Sequence, residues 1–254
     1  MSVLKDRQKP HCTVVLLAGG SGKRMGADKP KQFLEVAGRP LIWYTLNTLE
    51  HSEIVDDCVL VVAAKDIPYM QEHILNSGNF TKVKAVAEGG RERFESVWNG
   101  LRLLKDISLR DGIDPGVIFI HDGARPFLTE DMLERCLQGA LESEACVAAV
   151  PSKDTVTIAD EEGYEAETPN RKYVWNVQTP QTFLANVVFS AFEKMAEDLK
   201  APNAMEQLSW ITDDASVVEH YNGNKIRLIM GDYRNIKVTT QEDLLVMESF
   251  LGGK

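Results

Sequence analysis

The sequence predicts an α/β fold, in which a mainly parallel, twisted sheet carries helices on both faces. Through the first 150 residues, short apolar runs of strand length alternate with amphipathic segments of helix length. This alternation is typical of βαβ units, because parallel strands need long crossover connections that cover the sheet. Glycine-rich and charge-rich turns directly follow several of the predicted strands. We therefore expect a ligand outside the carboxyl ends of the strands, where such sheets bind their substrates.

The predicted elements follow one another regularly in this part of the chain. Strands are predicted at residues 13–18, 58–64, 83–87, 117–121 and 146–150, and helices at residues 40–49, 68–76, 92–105 and 130–141. Pro40 opens the first helix, a position that suits proline. The helix at 92–105 carries an apolar stripe on one face, formed by Phe94, Val97, Trp98, Leu101 and Leu104.

The pattern changes after residue 150. Short alternating segments at 155–158 and 173–177 flank the acidic turn DEEG, which predicts an antiparallel β-arm inserted at residues 151–176. Because an isolated hairpin is barely stable, such an arm either pairs with another subunit or packs on its own domain. Helices at 183–199, 214–221 and 241–251 and a strand at 225–230 complete one domain, residues 1–254.

Composition narrows the class of protein. The 254 residues carry a net charge of −10, which disfavours nucleic acid as the main partner. No apolar run reaches the ~20 residues that span a bilayer, and the polar N-terminus lacks the apolar core of a signal peptide. We therefore expect a cytoplasmic protein with no membrane partner. The four cysteines lie in or beside apolar runs without C-x-x-C spacing, which indicates buried thiols.

The first motif that carries chemistry is the turn after the first strand, LLAGGSGKRMGADKPKQF at residues 16–33. Gly19, Gly20 and Gly22 allow the backbone to approach a phosphate with its amide N–H groups directed inward. Four cations follow closely: Lys23, Arg24, Lys29 and Lys31. They would repel one another without an anion, so we predict a phosphate-binding turn. The turn matches neither the P-loop pattern nor the dinucleotide pattern G-x-G-x-x-G.

Three further motifs lie after predicted strands. Asp122, within IHDGARPF, is placed to hold Mg²⁺ together with substrate phosphates, with a helix N-cap role as the alternative. Arg125, just beyond it, suits a sugar phosphate. Gly90 and Ser96, within GGRERFESVWNGL, lie on either side of a predicted helix start. Backbone groups there either bind the edge of a nucleobase or simply form a turn from strand to helix. Lys237 follows a buried-strand pattern, so it is either a snorkelling lysine or a phosphate ligand.

Together these motifs resemble those of one family. The segments AGGSGKRMG, PKQF, HDGARP, KDT, WNVQTPQTF, TDDASVVE and NIKVTTQEDL occur in this order between residues 13 and 251. The set is similar to that of the 2-C-methyl-D-erythritol 4-phosphate cytidylyltransferases, which use CTP in the non-mevalonate isoprenoid pathway. The resemblance implies a Rossmann-like nucleotidyltransferase fold. It also implies a homodimer whose subunits exchange the 151–176 arm.

The resemblance further implies a role for each matching residue. The residues expected to bind CTP are Ala18, Gly19, Gly20, Gly22, Gly90, Ser96, Asp122 and Gly123. The expected catalytic cations are Arg24, Lys31 and Lys237, and Asp122 is the expected ligand of Mg²⁺. The residues expected to hold methylerythritol phosphate are Arg125, Thr155, Arg171, Thr179 and Lys237, with Thr155 and Arg171 donated by the neighbouring subunit.

Alternative functions differ in the residues they require. Many family members carry Ala-Ala-Gly where this chain has Ala18, Gly19 and Gly20, and some carry Asp in place of Arg91. The first difference also occurs in ribitol-5-phosphate cytidylyltransferases, whereas TDDASVVE and KDT favour methylerythritol phosphate. A non-catalytic nucleotide-binding regulator would lack the metal carboxylate or the phosphate cations. An NAD-dependent dehydrogenase would need an acidic residue after the second strand, where this chain has Ala-Ala-Lys.

Overall fold

The computed structural model describes residues 9–20 and 30–252 of the chain. Its strands, in chain order, are β1 (Cys12–Ala18), β2 (Glu35–Val36), β3 (Arg39–Pro40), β4 (Asp57–Val62), β5 (Val83–Glu88), β6 (Val117–Asp122), β7 (Ala145–Pro151), β8 (Ile158–Ala159), β9 (Glu165–Glu167), β10 (Trp175–Leu184) and β11 (Arg227–Met230). Seven strands form one sheet in the order β11-β7-β10-β6-β1-β4-β5, and the others form the small antiparallel pairs β2–β3 and β8–β9.

Helices connect most of these strands. In chain order they are α1 (Leu41–His51), α2 (Ile67–Tyr69), α3 (Asn76–Gly78), α4 (Arg93–Asp111), α5 (Glu130–Ser143), α6 (Ala185–Asp198), α7 (Ala204–Gln207), α8 (Asp214–Asn222) and α9 (Gln241–Gly252). The helix predicted over residues 68–76 is confirmed: the chain is helical without a break from α2 to α3, and a π-helical segment, Met70–Leu75, lies between them. None of the helices in the described ranges is both long and apolar enough to cross a bilayer.

Both faces of the sheet are buried, as the α/β prediction requires. Successive side chains of a strand point to opposite faces, so β1 contributes to two cores. Val14 and Leu16 pack in the core beneath α1 and α5, whereas Val15 packs in the core beneath α4, α6 and α8. The apolar stripe of α4 enters this second core as predicted. The cysteines are free and buried, as expected from their apolar surroundings.

The strand order reverses between β1 and β6. The chain passes from β1 to β4 and β5 on one side, and then returns to place β6 on the other side of β1. All of these neighbours are parallel, so their carboxyl ends share one edge of the sheet. A crevice opens at such a reversal because the two adjacent connections diverge to opposite faces. The turns after β1 and β6 therefore meet at the edge where a ligand is expected.

The strand β10 corrects one prediction. Residues 183 and 184 were assigned to a helix over 183–199, but they end a strand that runs antiparallel between β6 and β7, and α6 begins at Ala185. The sequence did not reveal the second half of this strand because several of its buried side chains are polar. Gln181 is one of them, and its amide is paired on both sides: it donates to Asp213 Oδ2 (2.9 Å) and accepts from the Ala215 N–H (2.8 Å). Tertiary hydrogen bonds thus allow polar side chains to be buried in this strand, and its sequence lacks the apolar alternation that is typical of strands.

The arm at residues 151–176 is antiparallel, as predicted, but its pairing differs. Ile158 of β8 pairs with Glu167 of β9, whereas the predicted segment 173–177 largely joins β10 in the main sheet. Several large side chains of this region are exposed, including Ile158, Tyr164 and Tyr173. Clusters of exposed large side chains are typical of surfaces that contact another protein.

Gly100 lets α4 approach the sheet closely. A Cβ at this position would lie 2.7 Å from Val15 Cγ1 and 2.8 Å from Val61 Cγ2. We expect Gly100→Ala to lower the free energy of unfolding by about 1–2 kcal/mol, because overpacking outweighs the better helix propensity of alanine. Urea unfolding measures this change. Asp106→Ala, at an exposed position of the same helix, should stay within about 0.5 kcal/mol of the wild type. A Gly100→Ala variant as stable as the wild type would contradict the prediction.

Candidate active site

An open cleft of about 620 Å³ lies at the carboxyl ends of β1 and β6. Its lining contains the following predicted site residues: Ala18, Gly19, Gly20, Lys31, Gly90, Ser96, Asp122, Gly123 and Lys237. It also contains residues to which the sequence assigned no role: Leu17, Gln32, Arg91, Glu92, Arg93, Ala124 and Thr239. Motifs that are far apart in sequence therefore meet at the reversal of strand order.

Other predicted residues lie elsewhere. Gly22 and Arg24 lie outside the described residues. Thr155 and Arg171 are exposed on the arm and do not line this cleft; the Arg171 guanidinium donates to the Lys153 carbonyl at 3.3 Å. The remaining two predicted residues, Arg125 and Thr179, lie beside and beneath Asp122.

The Asp122 carboxylate forms the centre of the charge arrangement. It ends β6, and only about 10% of its side chain is exposed. Lys237 Nζ lies 2.8 Å from Oδ2, Arg125 Nε lies 3.7 Å from Oδ2, and Arg93 Nε lies 3.6 Å from Oδ1. Burial raises the pKa of this carboxyl, but the three cations outweigh burial and hold the pKa below its ordinary value. Asp122 is therefore an anion at neutral pH.

A hydrogen-bond chain beneath Asp122 fixes the backbone there. The Asp122 N–H donates to Thr179 Oγ1 (3.1 Å). The Arg125 carbonyl can only accept, so His121 carries its hydrogen on Nε2 and donates to this carbonyl (3.3 Å). The Nδ1 of the neutral ring then accepts from the Thr179 hydroxyl (2.9 Å). Burial lowers the pKa of His121 to about 4, in agreement with this neutral ring. The predicted substrate residue Thr179 thus also holds the end of β6 in place.

The segment that carries Lys237 is irregular. The strand predicted at residues 225–230 is confirmed as β11, and Lys237 lies beyond it, in a segment without strand or helix before α9. Asn235, which is fully buried, anchors it instead: its Nδ2 donates to the Thr179 carbonyl (2.8 Å), and its own carbonyl accepts from Arg125 Nη1 (2.7 Å). The apolar pattern of this segment reflects buried loop residues such as Val238.

Lys31 contacts the same segment. It opens a short 3₁₀ turn, Lys31–Phe33, which is anchored by the buried Phe33 ring. Lys31 Nζ donates to the Val238 carbonyl at 3.2 Å. Lys31 and Lys237, which are 206 positions apart in sequence, therefore present their charges to one volume.

The turn before α4 is rigid. Glu92 and Glu95 form a capping box at the start of the helix. The Gly90 N–H donates to Ser96 Oγ (3.0 Å), and the Ser96 hydroxyl donates to the Glu92 carbonyl (3.1 Å). Gly90 must lack a side chain, because a Cβ there would lie 2.3 Å from Glu95 Cβ. The predicted base-binding residues thus form a preorganised corner of the cleft.

Arg93 is the main lining residue that sequence reasoning missed. It is the first residue of α4, and its guanidinium binds Asp214 at 2.5 and 2.7 Å through two nitrogens. Burial lowers the pKa of Arg93, but Asp214 and Asp122 outweigh burial and raise it. Burial raises the pKa of Asp214, and Arg93 opposes this effect. Because arginine stays charged, we assign a guanidinium–carboxylate ion pair. A cation at a helix N-terminus, where the dipole disfavours it, was the signal in the sequence.

The donor set suits magnesium better than a transition metal. Within residues 9–20 and 30–252, no group of three or more His, Cys, Asp or Glu side chains is arranged to hold an ion. Mg²⁺ does not need such a group, because one or two carboxylates and substrate phosphates commonly complete its coordination with water. The Asp122 carboxylate, a hard oxygen donor beside the phosphate-attracting lysines, fits this requirement.

Comparison with known proteins identifies the family. The family model IspD, described as 2-C-methyl-D-erythritol 4-phosphate cytidylyltransferase, matches residues 12–253. Proteins of that name from Lachnospira eligens and Geotalea uraniireducens are each 42% identical, over 95% and 94% of this chain and 99% and 96% of theirs. The crystal structure of 4-diphosphocytidyl-2C-methyl-D-erythritol synthase from Anaerococcus prevotii superimposes with a TM-score of 0.76 at 30% identity, covering 96% of this chain and 97% of that one. The chain therefore belongs to the 2-C-methyl-D-erythritol 4-phosphate cytidylyltransferase family.

Proposed function

We propose that this protein transfers CMP from CTP to 2-C-methyl-D-erythritol 4-phosphate and releases pyrophosphate, a step of non-mevalonate isoprenoid synthesis. The observation that carries this proposal is the convergence of Lys31, Lys237 and Asp122 on one cleft at the strand-order reversal. Two phosphorylated reactants repel each other, and a cleft lined with fixed cations offsets that repulsion.

The reaction needs no covalent enzyme intermediate. An oxygen of the substrate phosphate attacks the α-phosphorus of CTP in line, a new P–O bond forms, and the bond from the α-phosphorus to the bridging oxygen breaks. The electron pair leaves with pyrophosphate. The protein must therefore place the two reactants and stabilise the charge that builds on the α-phosphate and the leaving group.

The two lysines suit this task. Lys31 and Lys237 both line the cleft, and Lys31 donates to the carbonyl of Val238, the residue next to Lys237. Lysine is a compact cation with three donors on a flexible stem, so each can follow phosphate oxygens as the bond order changes. Arg24, from the same glycine-rich turn as Gly22, belongs to this proposal by its position in the motif.

Asp122 would hold Mg²⁺, which when bound neutralises charge on the phosphates. The carboxylate is ionised because Lys237, Arg93 and Arg125 surround it. The hydrogen bond from its own N–H to Thr179 fixes the backbone from which it projects.

The ends of the cleft would select the two reactants. The rigid corner at Gly90 and Ser96 would bind cytosine, and the backbone at residues 18–20 would follow the ribose and triphosphate. Arg125 and Thr179 would hold the methylerythritol phosphate. Arg171 and Thr155 are exposed on the arm, so their contribution requires the arm of a second subunit. The proposal therefore includes a homodimer. It also includes a cytoplasmic location, and the net charge of −10 disfavours nucleic-acid partners.

Two observations bear on the alternative functions. A Cβ at Gly19 would meet no atom closer than 3.6 Å, so alanine would also fit there, and this difference in the motif carries little weight for ribitol phosphate. The side chain of Arg91 is exposed, while its N–H donates to Glu95 Oε2 (2.6 Å). A non-catalytic regulator is disfavoured because the carboxylate and both lysines are present together.

Substrate choice tests the proposal directly. We expect the purified protein with Mg²⁺ to release pyrophosphate with CTP and methylerythritol phosphate, and to turn over the other three nucleoside triphosphates and ribitol 5-phosphate far more slowly. A coupled pyrophosphate assay across these combinations measures kcat/KM. Faster turnover of ribitol 5-phosphate would instead support a ribitol-5-phosphate cytidylyltransferase. The absence of pyrophosphate release with every combination would contradict the enzyme assignment.

The cationic cleft predicts a specific loss of rate. Lys31→Ala and Lys237→Ala should each lower kcat by ~10²–10³, equivalent to ~3–4 kcal/mol, because each removes a preorganised donor to the transition state. Circular dichroism should show an unchanged fold. Lys65→Ala, at an exposed lysine, is the matched control and should retain full activity. A Lys31→Ala enzyme that keeps more than about a third of wild-type kcat would rule out this role.

The proposed donation of Arg171 between subunits is tested by mixed dimers. Lys31→Ala and Arg171→Ala chains, each expected to be nearly inactive alone, are co-expressed. If Arg171 acts in the neighbouring site, each heterodimer contains one intact site, and random pairing restores about a quarter of the wild-type activity. If Arg171 acts in its own chain's site, every heterodimeric site carries a substitution and no activity returns.

A further inference from the structure

The TDDASVVE segment contains a buried charge that the proposed mechanism does not use. Asp214 is fully buried at the first residue of α8, and its two carboxylate oxygens bind the Arg93 guanidinium. Replacing a buried ion pair with well-packed apolar residues is often neutral or stabilising. A contribution to stability is therefore a weak explanation for this ion pair. Its location beside the cleft offers a stronger explanation.

Asp214 is held rigidly. Asp213 caps α8 by accepting from the Ser216 N–H (2.8 Å), and Gln181 of β10 binds both Asp213 and the Ala215 N–H. The carboxylate that follows the cap is thus fixed relative to the central sheet. We call the Arg93–Asp214 ion pair the clamp.

The guanidinium held by the clamp lies beside the catalytic centre. Arg93 lines the cleft, and its Nε lies 3.6 Å from Asp122 Oδ1, on the opposite oxygen from Lys237. The bidentate contact with Asp214 uses Nη1 and Nη2 and leaves Nε for the cleft side. The position of the Arg93 guanidinium is therefore fixed by its ion pair with Asp214.

The other two cations near Asp122 have a second task in the proposed reaction. Lys237 would turn to the phosphates, and Arg125 would hold the substrate phosphate. Once they are engaged, Asp122 needs a cation that stays in place. Arg93 meets that requirement, because a side chain fixed in a two-point ion pair cannot follow the phosphates without breaking it.

We propose that Arg93 is a positioning residue that holds the Asp122 carboxylate in one orientation during nucleotidyl transfer, and that Asp214 is the group that fixes Arg93. This inference rests on the proposed function. It gives the TDDASVVE segment a role that the sequence did not assign: the segment supplies the clamp for a cation on another helix.

Substitutions on both sides of the clamp test the inference. The variants are Arg93→Gln, Asp214→Asn and the double variant, which replaces the ion pair with two neutral amides and leaves no unpaired buried charge. Arg102→Gln, an exposed arginine on the same helix, is the matched control. We measure kcat and both KM values by pyrophosphate release, the melting temperature, and binding of Mn²⁺ in the presence of CTP by electron paramagnetic resonance.

We expect kcat and Mn²⁺ affinity to fall about 10- to 100-fold in all three clamp variants, because groups that orient a metal-binding carboxylate have effects of this size. The KM for methylerythritol phosphate should stay unchanged, since Arg93 acts through Asp122. The Arg102→Gln control should match the wild type. A purely structural clamp would instead lower the melting temperature and leave kcat per folded molecule and Mn²⁺ affinity unaltered, which would overturn the inference.

Arg93→Lys covers the case in which the neutral variants do not fold. A lysine at this position keeps the charge next to Asp214 but has no second nitrogen to face Asp122, as Arg93 Nε does. We therefore expect a wild-type melting temperature, a reduced kcat and a reduced Mn²⁺ affinity. Full activity and full Mn²⁺ affinity in Arg93→Lys would overturn the inference. If the wild type itself releases no pyrophosphate, the proposed function fails, and Mn²⁺ binding with CTP still tests the clamp separately.

Discussion

One carboxylate surrounded by three cations organises the cleft. Asp122 is buried at the end of β6, where its charge would be costly alone, and Lys237, Arg93 and Arg125 keep it ionised. Each of the three cations comes from a different part of the chain: the segment after β11, the start of α4 and the turn after β6. The carboxylate thus draws these segments to the carboxyl end of the sheet. The excess positive charge that results is what two phosphorylated reactants require, although the whole protein is acidic.

The remainder of the structure holds these charges still. Asn235 secures the segment with Lys237, Thr179 and His121 secure the end of β6, and Asp214 secures Arg93. Most of these supporting groups are buried and polar, and their hydrogen bonds cross between β10, β6 and α8. Buried polar groups need partners in defined positions, so these hydrogen bonds restrict the arrangement of the site. Precision at the cleft therefore depends on residues that do not line it.

The sequence predicted the sheet, the cleft and most of its lining, because those features follow from local patterns. Apolar runs marked the parallel strands, and glycines and cations marked the turns after them. It did not predict that the segment 173–177 continues as β10 to Leu184, where the buried Gln181 and Thr179 satisfy their polar groups through distant partners. For the same reason it gave Arg93 no role. A polar residue whose partner lies 121 positions away, as Asp214 does from Arg93, leaves no periodic signal in its own neighbourhood.

The hydroxyl of Thr179 has a consequence for the proposed binding of methylerythritol phosphate. A hydroxyl has one hydrogen, and that of Thr179 is committed to the imidazole of His121. Thr179 can then offer an incoming phosphate no proton unless the ring changes its tautomer. The Arg125 Nε–H, by contrast, is buried and has no hydrogen-bond acceptor in the part of the chain that is described. In the proposed substrate complex, Thr179 would therefore not donate to the phosphate, and the donors would have to come from the Arg125 guanidinium.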